Sequence, residues 1–249
     1  MKDVVAVILA GGRGKRMHSM QCKALHKVAD RTILDWTLDA CQLAGIENII
    51  VVTGAHSDDI RQHLARDGHA LNIEIAVQNE PLGTADAVMA AMPKVRELNT
   101  RYAVVLLGDL PNIQASTLKK MMLKRSQKQV YCLTVNRDEP AAYGRIIRND
   151  NDTVARIVEF KDCTPEQIFI KEINVGVYSV PTAFLESALP RITNDNAAGE
   201  YYLTDIIAIA NEDGLPVIPV VAEDPGEVMG VNTPDELAMA EAWRRKLSL

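Results

Sequence analysis

The chain opens on an apolar run, Val4-Val5-Ala6-Val7-Ile8-Leu9-Ala10, that no polar residue interrupts before Gly11-Gly12. A strand with one wet face alternates apolar and polar residues, whereas an unbroken run rich in β-branched residues belongs to a strand covered on both faces. That is the condition of a parallel sheet between helices, and the rest of the first half keeps the rhythm. Residues 32–43 carry Leu34, Leu38 and Cys41 at helical spacing, with Gly45 as the stop. Residues 48–53 read as a second strand. Ser57 is placed to cap a helix that presents Ile60 and Leu64 and closes at Gly68, and residues 73–77 form a third strand. A helix over about 84–92 leads to a fourth strand at 103–107, which completes a βαβαβαβ order. After about Tyr143 the texture changes: residues 145–147, 154–158 and 173–180 are strands with only short polar turns between them, so antiparallel pairing is expected there. Helices at 182–189 and 202–211, a strand at 217–221 and a closing helix at 234–247 follow. The expected fold is α/β, a Rossmann-like, mostly parallel sheet with crossover helices and an inserted antiparallel lobe. It forms one domain over residues 1–249, without linker or internal repeat.

At 249 residues the chain is long enough to bury roughly three-quarters of its unfolded surface, so no disulfide staple or structural metal is needed. With 47% hydrophobic and 24% charged residues it is globular in composition, not disordered. The net charge of −6, from 27 basic and 33 acidic residues, disfavours polymeric anions, so neither nucleic acid nor a membrane surface is an expected partner. Arg244, Arg245 and Lys246 read as the last turn of a helix, complementing its dipole. The apolar start is too short for a signal or spanning segment, and Cys22, Cys41, Cys132 and Cys163 form no paired motif; reduced thiols in a cytoplasmic protein are expected. His18, His26, His56, His63 and His69 share no metal-ligand spacing and read mostly as surface or loop residues.

Leu9-Ala10-Gly11-Gly12-Arg13-Gly14-Lys15-Arg16-Met17 leaves the first strand and turns sharply. Its glycines let backbone N–H groups approach an anion, and Arg13, Lys15 and Arg16 add positive charge, so a phosphate cradle is one reading. A tight turn with solvated basic residues is the other. The dinucleotide fingerprint is excluded because Met17 stands where a further Gly is required, and a Walker loop because Arg16 follows Gly14-Lys15.

The loop, followed by Lys23, resembles the signature of nucleotidyltransferases that activate sugar phosphates with a nucleoside triphosphate. Further blocks follow in order: Gln78-Asn79-Glu80-Pro81-Leu82-Gly83-Thr84-Ala85, Leu107-Gly108-Asp109, Tyr143-Gly144-Arg145, Ile157-Val158-Glu159-Phe160, Asn174-Val175-Gly176, Gly199-Glu200-Tyr201-Tyr202-Leu203-Thr204-Asp205 and Gly230-Val231-Asn232. Together they resemble the uridyltransferase domains of bacterial bifunctional N-acetylglucosamine-1-phosphate uridyltransferases, from Val4 to about Ala240. Cys22 stands where that family usually has Pro. Those enzymes continue into a left-handed β-helix carrying an acetyltransferase, an activity not expected of these 249 residues.

The resemblance implies Mg²⁺-dependent attack of N-acetylglucosamine-1-phosphate on UTP, with residues to about 112 binding the nucleotide and later residues the sugar phosphate. Arg16 and Lys23 would contact the triphosphate, beside the backbone of Leu9, Ala10, Gly11, Gly12 and Gly14. Asp109 and Asn232 would hold the metal; each is also a good turn residue. Gln78 would pair with the uracil edge as donor and acceptor, with the Gly83-Thr84 backbone close to the base; a polar loop and a helix start are the plainer alternatives. Gly144, Glu159 and Asn174 would select the sugar, though Glu159 and Asn174 are equally suited to cross-strand pairing. Tyr202 and Thr204 would line the acetyl pocket. The residues favour neither a monomer nor a homo-oligomer built through the antiparallel lobe.

Overall fold

The computed structural model describes residues 1–12, 14–17, 19, 21–67, 71–123 and 128–247. The loop charges expected of Arg13 and the Lys15 side chain, the helix stop at Gly68, and His18 and His69 lie outside the described set.

Strand β1 (Val4–Leu9) has its first five residues buried, as its unbroken apolar run requires. A short ribbon, β2 (Lys27–Val28) with β3 (Arg31–Thr32), leads into helix α1 (Ile33–Leu43). The Thr32 hydroxyl accepts from Asp35 N and the Asp35 carboxylate accepts from Thr32 N, a reciprocal cap that stabilises the helix start by about 1 kcal/mol. Strand β4 (Asn48–Thr53), helix α2 (Ser57–Asp67) and strand β5 (Asn72–Val77) match the sequence reading, with Ser57 inside the helix instead of before it. Helix α3 (Thr84–Leu98) corrects the expected end at residue 92: it runs through Pro93. A proline there removes one helical hydrogen bond, but Ala85, Ala87, Val88, Ala91, Met92 and Val95 are all buried, and this packed face carries the helix on to Asn99, whose left-handed backbone ends it.

Strand β6 (Tyr102–Leu107) is followed by two elements the sequence reading did not assign, helix α4 (Ala115–Met122) and strand β7 (Val130–Asn136). The antiparallel part comprises β8 (Arg145–Arg148), β9 (Val154–Val158) and the long β10 (Glu172–Pro181), after which come α5 (Thr182–Ala188), α6 (Ile206–Glu212), β11 (Val217–Val221) and α7 (Pro234–Leu247). The helix expected from residue 202 begins instead as a 3-10 turn at Leu203–Asp205.

The main sheet runs β11-β7-β10-β6-β1-β4-β5, with β10 antiparallel to both its neighbours and the other pairs parallel; β8 joins β10 and carries β9. The path from β1 goes outward to β4 and β5 and then returns to the other side of β1 as β6. The carboxyl ends of β1 and β6 therefore flank the point where strand order reverses, the crevice in which open α/β sheets bind ligands. Alternate residues of β1 face opposite cores, Val4, Ala6 and Ile8 on one side and Val5 and Val7 on the other. A smaller cluster of Met17, Val28, Ile33, Val231 and Ala240 fastens the glycine loop and α7 to this frame. Arg244 is not simply solvated at the end of α7: its guanidinium lies 3.4 Å from the Trp36 ring centroid and donates to the Pro111 carbonyl. His63 on α2 bonds the buried Asp35 at 2.8 Å, so it too is more than a surface residue. Among the described residues no helix is long and apolar enough to cross a membrane.

Candidate active site

Two adjoining cavities open at the switch point. The first, of about 320 Å³, is lined by Leu9, Ala10, Gly11 and Gly12 after β1, by Lys23 and Ala24, by Leu107, Gly108 and Asp109 after β6, by Gln78, Pro81, Gly83, Thr84 and Ala87, and by Glu200. Its floor is backbone packed against backbone. Gly108 N donates to the Leu9 carbonyl at 2.9 Å, and a Cβ on Gly108 would stand 2.9 Å from that same oxygen. Gly83 has φ +138°, and a Cβ there would stand 2.6 Å from the nitrogen of Tyr201. The segment around Tyr201 straps the cavity: its N–H donates to Leu82, its carbonyl accepts from Ala85, and Leu203 N donates to the Thr84 hydroxyl, all at 2.9 Å.

Lys23 stands in a short 3-10 turn, and its ammonium bonds Asp109 Oδ2 at 2.5 Å and Asn232 Oδ1 at 3.1 Å. Three residues remote in sequence thus meet at the carboxyl end of β6. Asn232 does not itself line the cavity and is drawn to it through Lys23. The other carboxylate oxygen, Asp109 Oδ1, is buried without a hydrogen-bond partner. An acceptor held dry and unpaired is costly, about 1–3 kcal/mol or more, unless something occupies it. A hard divalent cation suits that unpaired oxygen, because it takes carboxylate and amide oxygens and needs only one or two from the protein. Among the described residues no group of three or more His, Cys, Asp or Glu is placed to hold a metal; the candidate oxygens beside Lys23 are those of Asp109 and Asn232.

The second cavity, of about 180 Å³, shares Thr84 and Leu107 with the first and is lined by Tyr143, Gly144, Glu159, Asn174, Gly176, Tyr178 and Thr204 among others. Here side chains make the wall. Register between β10 and β7 shifts between Asn174 and Tyr178, a bulge that contains Gly176 at φ +81°. Asn174 Oδ1 accepts from Gly176 N and from the Tyr178 hydroxyl, each at 3.0 Å, so the side-chain nitrogen is the group turned to the cavity. Asn174 N donates to the Gly144 carbonyl at 2.9 Å, and a Cβ on Gly144 would stand 3.4 Å from Glu159 Oε1, so the three sugar-site candidates lie side by side where β10, β8 and β9 pair. The Glu159 carboxyl is pushed above its ordinary range, chiefly by burial and also by Asp162, Asp205 and Glu200; the Thr204 hydroxyl, 3.3 Å away, opposes the shift. Burial likewise raises the Tyr178 hydroxyl.

Other candidates lie apart. Arg16 is exposed on the 3-10 turn Lys15–Met17 and lines neither cavity, nor does Gly14, where a Cβ would stand 3.2 Å from the Lys23 side chain and 3.7 Å from that of Met17. Tyr202 also lines neither; its hydroxyl is pushed up to about 12 by burial and by Asp162, Glu159, Glu200 and Asp205 around it. Gln78 lines the first cavity, but its side-chain nitrogen is committed to Gly83 and Asp86, so the paired donor and acceptor contact expected of it reduces to an acceptor.

Three contributors were not singled out from the sequence. Glu200 reaches the first cavity from the strap. Tyr143 lines the second, and its hydroxyl is pushed up chiefly by burial, with Arg137 opposing and Glu236 and Asp109 adding to the rise. At the Asp109–Asn232 end, Val231 N donates to the Asp109 carbonyl at 2.9 Å. Arg145 is fully buried, and its guanidinium gathers the carbonyls of Pro140, Ala141, Tyr143 and Ile168, fixing the loop that carries Tyr143 and Gly144. Its one legible signal was an arginine opening an otherwise apolar strand.

Comparison with known proteins places this geometry among relatives. Residues 5–243 match the family described as Nucleotidyl transferase. The chain is 42% identical over 246 residues to the Bifunctional protein GlmU of Geobacter metallireducens, covering 98% of the chain and 50% of the relative, and 41% identical over 241 residues to that of Pseudomonas paraeruginosa, covering 97% and 52%. It therefore spans about half the length of these relatives. A crystal structure of a putative glucose-1-phosphate thymidylyltransferase from Bacillus anthracis, in complex with a sucrose, superposes with a TM-score of 0.78 over 97% of this chain and 95% of that one, at 20% identity, a likeness of fold.

Proposed function

The chain belongs to the nucleotidyl transferase family, and from that premise we propose that it transfers UMP from UTP to N-acetylglucosamine-1-phosphate, releasing pyrophosphate. The observation that carries this reading is the meeting of two unlike cavities at Thr84 and Leu107, with Lys23 and Asp109 in the wall of the first and Asn232 bonded to Lys23 behind it. A backbone-lined pocket suits a nucleotide, and the polar side chains of its neighbour suit a hydroxylated sugar.

A phosphate monoester with a second pKa of about 6 is mostly dianionic at neutral pH, so the attacking oxygen needs no base from the protein. The task is to hold two polyanions in line while charge moves to the leaving pyrophosphate. Backbone N–H groups of Gly11 and Gly12 would receive phosphate oxygens, and Lys23 would place its ammonium against the reacting phosphates, exchanging Asp109 for substrate. Asp109 and Asn232 would hold Mg²⁺, which when bound supplies charge stabilisation at the phosphoryl oxygens. Asn174 would donate, and Glu159 accept, at sugar hydroxyls and the acetamido group, with Thr204 beside them. The nucleotide half, to about residue 112, and the sugar half are interleaved, since Glu200 enters the first cavity and Thr84 the second.

The test is pyrophosphate release across a matrix of nucleoside triphosphates and sugar-1-phosphates, with and without a chelator. UTP with N-acetylglucosamine-1-phosphate is expected to turn over fastest, and the chelator to abolish it. Faster turnover of another pair overturns the substrate assignment, and UTP binding without any turnover overturns the activity.

A further inference from the structure

Gln78 is held by more than its place after β5. Its backbone N–H donates to the Thr53 carbonyl at 2.8 Å. Its side-chain nitrogen donates twice, to the Gly83 carbonyl at 3.0 Å and to Asp86 Oδ2 at 2.7 Å. A carbonyl and a carboxylate are both acceptors, so turning the amide over would set its oxygen against two other oxygens, and the orientation is dictated by its surroundings. The amide nitrogen has two hydrogens, and the chain itself uses both. Oε1 remains, facing Gly11 at 3.3 Å from where a Cβ would stand, and Gly11 and Gln78 both line the first cavity. Toward a ligand there, Gln78 is an acceptor only.

We infer that Asp86 determines nucleobase specificity: by occupying Gln78 Nε2 it makes the site accept bases whose ring N3 carries a hydrogen, uracil and thymine, and reject cytosine, whose N3 is itself an acceptor. The inference rests on the reading of the first cavity as the site of the nucleotide base. Asp86 lines neither cavity and acts through Gln78, as a positioning residue. A cytosine base would face an acceptor with an acceptor, or would have to pull the amide away from a carboxylate. Discrimination built on a buried polar group left unpaired is large compared with discrimination by shape. Asp86 also lies in the first turn of α3, where a negative charge is favourable to the helix on its own account, so the informative readout is base selectivity and not stability.

Asp86→Asn keeps the side-chain volume but replaces an obligate acceptor with an amide that can donate or accept. Steady-state kinetics with UTP and CTP at saturating sugar phosphate would compare wild type, Asp86→Asn, Gln78→Ala and the double variant, with Asp86→Ala as a second substitution at the same position. The UTP-to-CTP ratio of kcat/KM is expected to fall about tenfold or more in both Asp86 variants, through the nucleotide KM. Asp86→Asn should add nothing in the Gln78→Ala background, because residues acting through one contact are not additive. An unchanged ratio, or the same fall without Gln78, overturns the role of Asp86 and leaves uridylyl transfer standing. A wild type that prefers dTTP to UTP overturns the uridylyl assignment but supports selection for the N3 hydrogen, whereas one that prefers CTP or a purine nucleotide overturns both.

Discussion

The two cavities share a wall yet are built by opposite means. The first is made of main chain, with Gly108 pressed on Leu9 and Gly83 on Tyr201 so closely that a Cβ would collide at either. The second is made of side chains that hold one another, Asn174 by Gly176 and Tyr178, Glu159 by Thr204. Backbone N–H groups recognise what every phosphate shares, and their positions follow from the sheet. Side chains recognise what distinguishes one sugar from another, and their positions need a second set of contacts. A wall of main chain is thus fixed by the sheet itself, whereas a wall of side chains is only as fixed as the contacts those side chains make with one another.

Lys23→Met should have the largest effect, since it removes the ammonium that lines the first cavity beside Asp109. We expect kcat to fall by about 10²–10³-fold in the pyrophosphate-release assay, the scale of losing one electrostatic contact to a developing charge. Loss confined to the nucleotide KM would instead assign Lys23 to binding alone. Asn174→Asp should separate the cavities. The carboxylate keeps the contacts to Gly176 N and Tyr178 and loses the donor turned to the second cavity, so the sugar-phosphate KM should rise about 10–100-fold, from a lost contact of 1.5–3 kcal/mol, with the UTP KM unmoved. Equal changes in both constants would erase the distinction.

The smallest expected effect is on stability. Glu159 has a folded-state pKa above its unfolded one, so between the two the native protein binds more protons than the unfolded chain, and stability falls as pH rises through that window. Glu159→Gln should flatten this slope and raise the melting temperature at neutral pH by a few degrees at most. Melting curves from pH 5 to pH 8 check it; a variant with the wild-type slope would mean that other raised carboxyls, Asp205 and Glu227, carry it.

How much was legible follows the same division. The unbroken run of β1 and the glycines behind it announced a buried parallel strand and a sharp turn at its end, because both depend on residues within a few positions of each other. Strand β7 was not recognised although Val130 to Val135 is buried throughout, since its place between β10 and β11 comes from partners more than 35 residues away. Pro93 misled the reading of α3 because local propensity yields to a packed face. Asp109 and Asn174 could be named from their motifs, while Glu200, Tyr143 and Arg145 carried no local signal strong enough to single them out.

The sequence by itself determined the order of strands and helices in the first half, the glycine turn after β1 and the kinds of residue available for phosphate, metal and sugar. These rest on periodicity and backbone freedom, which are short-range properties. Only the tertiary structure decided that Lys23 meets Asp109 and Asn232, that Asp109 Oδ1 is left unpaired, that Arg16 and Tyr202 stand outside the cavities, and that Asp86 turns Gln78 into an acceptor. Each of these depends on where the crossing at β1 and β6 and the bulge in β10 set side chains relative to one another, and that geometry exists only once the whole sheet has formed.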